Sequence, residues 1–191
     1  MSELGFQAFD ADNHYYEAED AFIRHVEPRM HKRCMQWAEI DGRRRLLVGG
    51  KVNRFIPNPT FDPIARPGCL DDYFRGRVAK SDMREAFGEL EPIPASYRDK
   101  DARLAQMDQQ GLDACFMFPT LGVGMETALE PDLEAMLAAF AGFNRWLLDD
   151  WGFAHEDRIF SAGYLTLADV GWALDQLDFL LDHDVRVVNL R

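Results

Sequence analysis

From Asp99 onward the apolar positions follow two alternating rhythms. Continuous apolar runs of strand length are separated by longer stretches with a period near 3.6. Asp99 to Gln110 reads as a helix with Leu104 and Met107 inward and Gly111 as its C-terminal stop. Asp113 to Pro119 contains Ala-Cys-Phe-Met-Phe, an apolar run expected of a strand buried on both faces. A glycine-bearing loop follows, Thr120 to Gly124. Pro131 is expected in the first turn of a long helix, where proline is tolerated. That helix carries Leu133, Met136, Leu137, Phe140, Phe143, Leu147, Leu148 and Trp151, and Gly152 ends it. Ile159 to Leu165 reads as a strand, Asp169 to His183 as a helix with Leu174, Leu177 and Leu181 inward, and Val185 to Leu190 as a last strand.

The first part of the chain has a different texture. Gly5 to His14 reads as a buried strand with an acidic C-terminal end. A short helix is expected from Asp20 to Val26, stopped by Pro28. Cys34 to Ile40 and Arg43 to Val48 flank Asp41-Gly42, a strong two-residue signal for a β-hairpin. Lys51 to Ile56 is expected to add a third strand. Six of the nine prolines then follow, at 57, 59, 63, 67, 92 and 94. Ordinary connections are far shorter, so residues 30–97 read as an insertion after the first strand, of hairpin plus proline-rich lid or assembly segment.

The order is therefore β, insertion, α, β, α, β, α, β. Such alternation implies an α/β fold with a parallel sheet and covering helices. A closed (β/α)₈ TIM barrel takes at least about 200 residues. This chain spends a third of its length on the insertion and offers about four barrel-type strands. The expectation is the N-terminal half of such a barrel, within a longer protein.

Composition narrows the function classes. The 191 residues are 47% hydrophobic and 12% aromatic, enough for a packed core. Net charge is −12, from 33 acidic against 21 basic residues, with no basic stripe. Nucleic acid and anionic membrane surfaces are therefore not expected partners. Cys34, Cys69 and Cys115 form no CxxC pair, as in a chain of reduced thiols, and a cytoplasmic location is expected. The first residues lack the marks of a signal peptide.

The candidate chemistry sits at the end of the first strand, in Asp10-Ala11-Asp12-Asn13-His14-Tyr15-Tyr16-Glu17. Residues two apart on a strand point to one side, so Asp12 and His14 can converge on a divalent cation. A buried Asp–His hydrogen bond, or a helix cap near Asp20, is the alternative. Position favours the cation, because parallel barrels carry their sites at the C-terminal ends of strands. Thr120 ends the next barrel strand and is a candidate on the substrate side, or a turn hydroxyl. Glu17 is a second such candidate, or a surface carboxylate. His25, His31, His155 and His183 read as surface or capping residues. Asn144, Arg145 and Trp146 read as helix packing, Cys115 as inert core, and Arg43-Arg44-Arg45 as a solvated strand.

The first-strand stretch resembles that of metal-dependent hydrolases in the amidohydrolase superfamily. It is closest to the amidohydrolase-related branch that includes aminocarboxymuconate-semialdehyde decarboxylase. Tyr97 to Leu104, Met107 to Gly111, Phe118-Pro119-Thr120 and Phe143 to Leu147 share the resemblance, which extends over most of residues 6–191. It implies a (β/α)₈ barrel, one Zn or Mn ion, and Asp12 and His14 as two of its ligands. The other ligands and the general base would lie in strands beyond this chain, so no general base is assigned. The reaction implied is hydrolysis of a small organic, carboxylated or cyclic substrate. Non-oxidative decarboxylation by the same branch is the alternative, and a catalytically inactive fragment or scaffold a third. The resemblance leaves homo-oligomerisation of the longer protein open.

Overall fold

A computed structural model of the chain describes residues 5–54, 60–77 and 87–190. It divides into two compact units, Met1–Pro59 with Ala95–Arg191, and Thr60–Pro94. The segment read as one insertion is thus split, its hairpin belonging to the first unit. No helix among the described residues is long and apolar enough to cross a membrane.

In the first unit, β1 spans Phe9–Tyr15, β2 Met35–Ile40, β3 Arg43–Val48 and β4 Lys51–Val52. The expected helix over Asp20–Val26 is instead a succession of turns, followed by a 3₁₀ turn at Pro28–Met30. Turns suffice here because they already bury Ala21, Phe22 and Val26. The hairpin is as expected: Ile40 pairs with Arg43, and Asp41 and Gly42 both have positive φ (53° and 65°), the signature of a type I′ turn. The strand expected over Lys51–Ile56 is described only as the two residues of β4, and residues 55 and 56 lie outside the described residues. The hairpin is tied down by Trp37 Nε1, which donates to the Glu19 carbonyl at 2.9 Å, and by an Arg44–Glu19 ion pair.

The second unit is built on a short antiparallel pair, β5 (Ile64–Ala65) with β6 (Leu90–Glu91), and a single helical turn, α1 (Asp71–Phe74). The Ile93 N–H donates to Asp62 Oδ1 at 3.2 Å, next to this pair.

Back in the first unit, α2 covers Lys100–Gln110, β7 Ala114–Pro119, α3 Met125–Leu129, α4 Leu133–Asp150, β8 Ile159–Ser161, β9 Gly163–Leu165, α5 Val170–Leu181 and β10 Val188–Leu190. Asp99, Asp132 and Asp169 cap α2, α4 and α5 by accepting main-chain N–H groups. Pro131 therefore precedes the cap of α4 and lies outside its first turn. Gly111 closes α2 at φ 71°.

β1, β7 and β8 form a three-stranded parallel sheet in that order, and β9 and β10 a parallel pair. The single strand expected over Ile159–Leu165 is broken at Ala162. There the chain changes partners: the Ala162 N–H donates to Met117 O, and that of Gly163 to Val187 O. Alternation along β7 is sharp. Cys115, Met117 and Pro119 are buried, whereas Phe116 and Phe118 are half-buried. Although β9 is buried at all three of its positions, the expectation of strands buried on both faces is thus corrected for β7. One face packs on helices, with Cys115 against Met107 of α2. The other carries an edge-to-face row of Phe9, Phe116 and Phe160, and Phe9 is 48% exposed.

Two helix faces also differ from expectation. In α2 the inward pair is Arg103 and Met107, with Leu104 only half-buried. In α5, Ala173, Gln176 and Leu180 face inward, while Leu174 and Leu181 are exposed. Gln176 goes inside because its Oε1 accepts from Nδ2 of the fully buried Asn144 at 3.2 Å.

Candidate metal site at the end of the first strand

The end of β1 is shaped by its own side chains. Its register against β7 shifts between Asp10 and Asn13, where a bulge interrupts the ladder. Asp10 stitches the bulge: Oδ1 accepts from the Asp12 N–H and Oδ2 from Asn13 Nδ2, both at 3.0 Å. Asn13 Oδ1 then accepts from the His14 N–H at 2.8 Å. These local bonds, typical of Asx turns, leave Asp12 and His14 on one side of the strand. His14 Nε2 lies 3.8 Å from Asp12 Oδ1.

His14 is oriented from behind. Its Nδ1 lies 3.2 Å from the Pro119 carbonyl at the end of β7. A carbonyl only accepts, so Nδ1 carries the proton and Nε2 presents its lone pair towards Asp12. A histidine so held by a main-chain carbonyl is prepared for a metal ion. The 3.8 Å gap is too long for a hydrogen bond, but two bonds of about 2.1 Å to one cation span it. Asp12 is 89% exposed and His14 43% exposed, so both are open to an incoming ion. The pair fits a divalent cation as two of its ligands. Among the described residues no group of three or more His, Cys, Asp or Glu is placed to hold one.

Arg103 lies beneath this strand end. Its Nη2 is 3.5 Å from the His14 carbonyl and its guanidinium stands over the Tyr97 ring, which in turn stacks on Tyr16. Burial holds its pKa below the usual arginine value.

Glu17 is 3% exposed, so it is no surface carboxylate. Its oxygens accept three consecutive main-chain N–H groups of the loop after β7: Thr120 at 3.1 Å, Leu121 at 2.8 Å and Gly122 at 2.9 Å. Thr120 Oγ1 donates to the Tyr15 carbonyl at 2.7 Å. Glu17 and Thr120 therefore clamp the β1 and β7 ends together. Burial pushes the Glu17 carboxyl up to about 7 against the opposing pull of these amides.

The other histidines are engaged elsewhere: His25 with Asp149, His31 with the Val26 carbonyl, His155 with Asp101, and His183 with the Phe179 carbonyl. Cys115 is buried, and burial pushes its thiol up to about 11. Asn144 takes up both main-chain polar groups of Tyr164, as a neighbouring strand would. Arg145 stands over the Phe179 ring. Sequence reasoning passed over Asp10 and Asn13 as organisers of the bulge. Their Asx chemistry at that spacing was the available signal.

A parallel sheet with a prepared Asp–His pair at its C-terminal end defines a class: α/β proteins with a candidate metal site on the first strand. No family model and no curated protein matches the chain. Among solved structures it is similar to the crystal structure of an amidohydrolase from Mycobacterium avium subsp. paratuberculosis K-10, at 41% identity over 98% of this chain with a TM-score of 0.91. The chain spans about half of that protein, 49% of its length. This similarity supports the amidohydrolase superfamily for the present chain.

Proposed function

We propose that the chain is the N-terminal half of a (β/α)₈ metal-dependent hydrolase of the amidohydrolase superfamily, acting on a small organic substrate. Asp12 and His14 supply two ligands for one Zn or Mn ion. The observation that carries this reading is His14 itself. Its Nδ1 meets the Pro119 carbonyl, and its Nε2 faces Asp12 at the C-terminal ends of parallel strands. The similarity to an amidohydrolase along nearly the whole chain supports it. A bound cation would supply Lewis-acid polarisation of a substrate carbonyl. The chain's own residues position the ligands. Asp10 and Asn13 hold the bulge, Pro119 fixes the His14 tautomer, and Arg103 braces the His14 carbonyl.

Two protein ligands hold zinc weakly, so the 191-residue chain is expected to bind it loosely and to lack appreciable turnover. The test is zinc and manganese titration against a competing chelator, with Asp12→Ala and His14→Ala. Each variant should weaken binding by about tenfold or more. Unchanged affinity in either variant would refute the ligand assignment, and tight stoichiometric metal in the wild-type chain would refute the half-site reading.

A further inference from the structure

The hairpin carries a charge pattern that the strand-end site does not use. On β3, Arg44 turns to Glu19 and stands over the Trp37 ring. Its neighbours Arg43 and Arg45 point to the other face, as strand alternation requires. Arg43, Arg45, Lys51 and Arg54 make no ion pair among the described residues, a state they share with Lys32, Arg66, Lys100, Arg103, Arg145 and Arg186; what sets the four apart is that they gather around one hairpin and border the same cavities. In a chain of net charge −12 they form a local concentration of positive charge.

These cations border open cavities. One, of about 420 Å³, lies between β4 and the segment that follows β7, with Val52 on one side, Val123 and Thr127 on the other, and Lys51 and Arg54 among its lining. A second, of about 530 Å³, shares Val52 and Arg54 and is lined by Arg43 and Arg45 together with one carboxylate, Asp41. Val52 and Val123 are 37% and 40% exposed, so both present apolar surface to the groove. The volume suits a small molecule, the valines suit an apolar body, and the cations suit a carboxylate.

We propose that this groove binds a small organic carboxylate, with its apolar body between Val52 and Val123 and its carboxylate between Lys51 and Arg54. Arg43 and Arg45 add attraction at longer range and draw anions to an otherwise acidic molecule. The groove needs neither Asp12 nor His14, so the inference goes beyond the metal reading and stands or falls separately.

The experiment is calorimetric titration of the full chain, stripped of metal with EDTA, using benzoate as the probe and neutral benzamide as its uncharged analogue. Benzoate should bind saturably, and benzamide should bind about tenfold more weakly or worse. The variant K51A/R54A should weaken benzoate by about tenfold or more, while K51R/R54K, which keeps both charges, should weaken it less than K51A/R54A does. D12A/H14A should bind benzoate within about twofold of wild type, even where it has lost its metal affinity. Four results would overturn the proposal: no saturable benzoate binding, equal binding of benzamide, an unchanged affinity in K51A/R54A, or loss of benzoate binding in D12A/H14A. Inorganic phosphate competing as strongly as benzoate would overturn the carboxylate assignment. Both altered side chains are exposed, and circular dichroism checks that each variant is folded.

Discussion

Replacing Glu17 by glutamine should remove a pH dependence of stability that the buried carboxyl creates. Glu17 ionises near 4.5 in the unfolded chain, and burial pushes it up to about 7 in the folded one. Between those values the folded state holds a proton that the unfolded state has released. Stability from this group is therefore fully present below pH 4.5 and is lost as pH rises through about 7. The gap corresponds to about 3 kcal/mol across the window, with a slope of at most about 1.4 kcal/mol per pH unit. The substituted side chain keeps the shape but cannot titrate. Its amide NH₂ will meet one of the three loop N–H donors, an offset that does not vary with pH. The assay is urea unfolding at pH 5, 6, 7 and 8, read by fluorescence of the buried Trp146 and Trp151. Wild-type stability minus variant stability should fall by about 2–3 kcal/mol from pH 5 to pH 8. Subtraction cancels every other titrating group. A difference constant within about 0.5 kcal/mol would refute the reasoning, because it would mean that the three amides hold Glu17 ionised at its unfolded pKa.

Two further changes probe the packing behind the site. Asn144→Leu removes three buried hydrogen bonds, two of them to the Tyr164 main chain, and leaves those polar groups without this partner. It should cost about 2–5 kcal/mol in urea unfolding, and a loss below about 1 kcal/mol would show that the bonds are replaced. In Gly163→Ala the new Cβ would lie 2.5 Å from Leu180 Cδ2, and Leu180 is fully buried with little room to yield. A drop of about 1–3 kcal/mol with unchanged urea m-value is expected, and a neutral result would show that α5 shifts freely on β9.

What could be read from the chain beforehand was its local chemistry. Asp41-Gly42 dictates a type I′ turn wherever it stands between two strands, and Asp99 and Asp169 cap their helices with their own side chains. The convergence of Asp12 and His14 was also legible, though for an incomplete reason. Strict alternation does not survive the bulge, and the pair converges because Asp10 and Asn13 reconnect the strand over the next few residues.

Glu17 was opaque for the opposite reason. Its partners are main-chain amides more than a hundred residues downstream, and a main-chain amide leaves no mark in a sequence. Leu174, expected inward, is exposed while Gln176 is buried, on similar grounds. A polar residue belongs inside when the neighbouring helix offers Asn144, and periodicity alone does not register that need. The same logic separates the three consecutive arginines. Arg44 is explained by Glu19 and Trp37, whereas Arg43 and Arg45 have no partner in the hairpin that accounts for their charge. On the proposal above, an anion in the adjoining cavity would give Arg43 and Arg45 the partner that the hairpin does not.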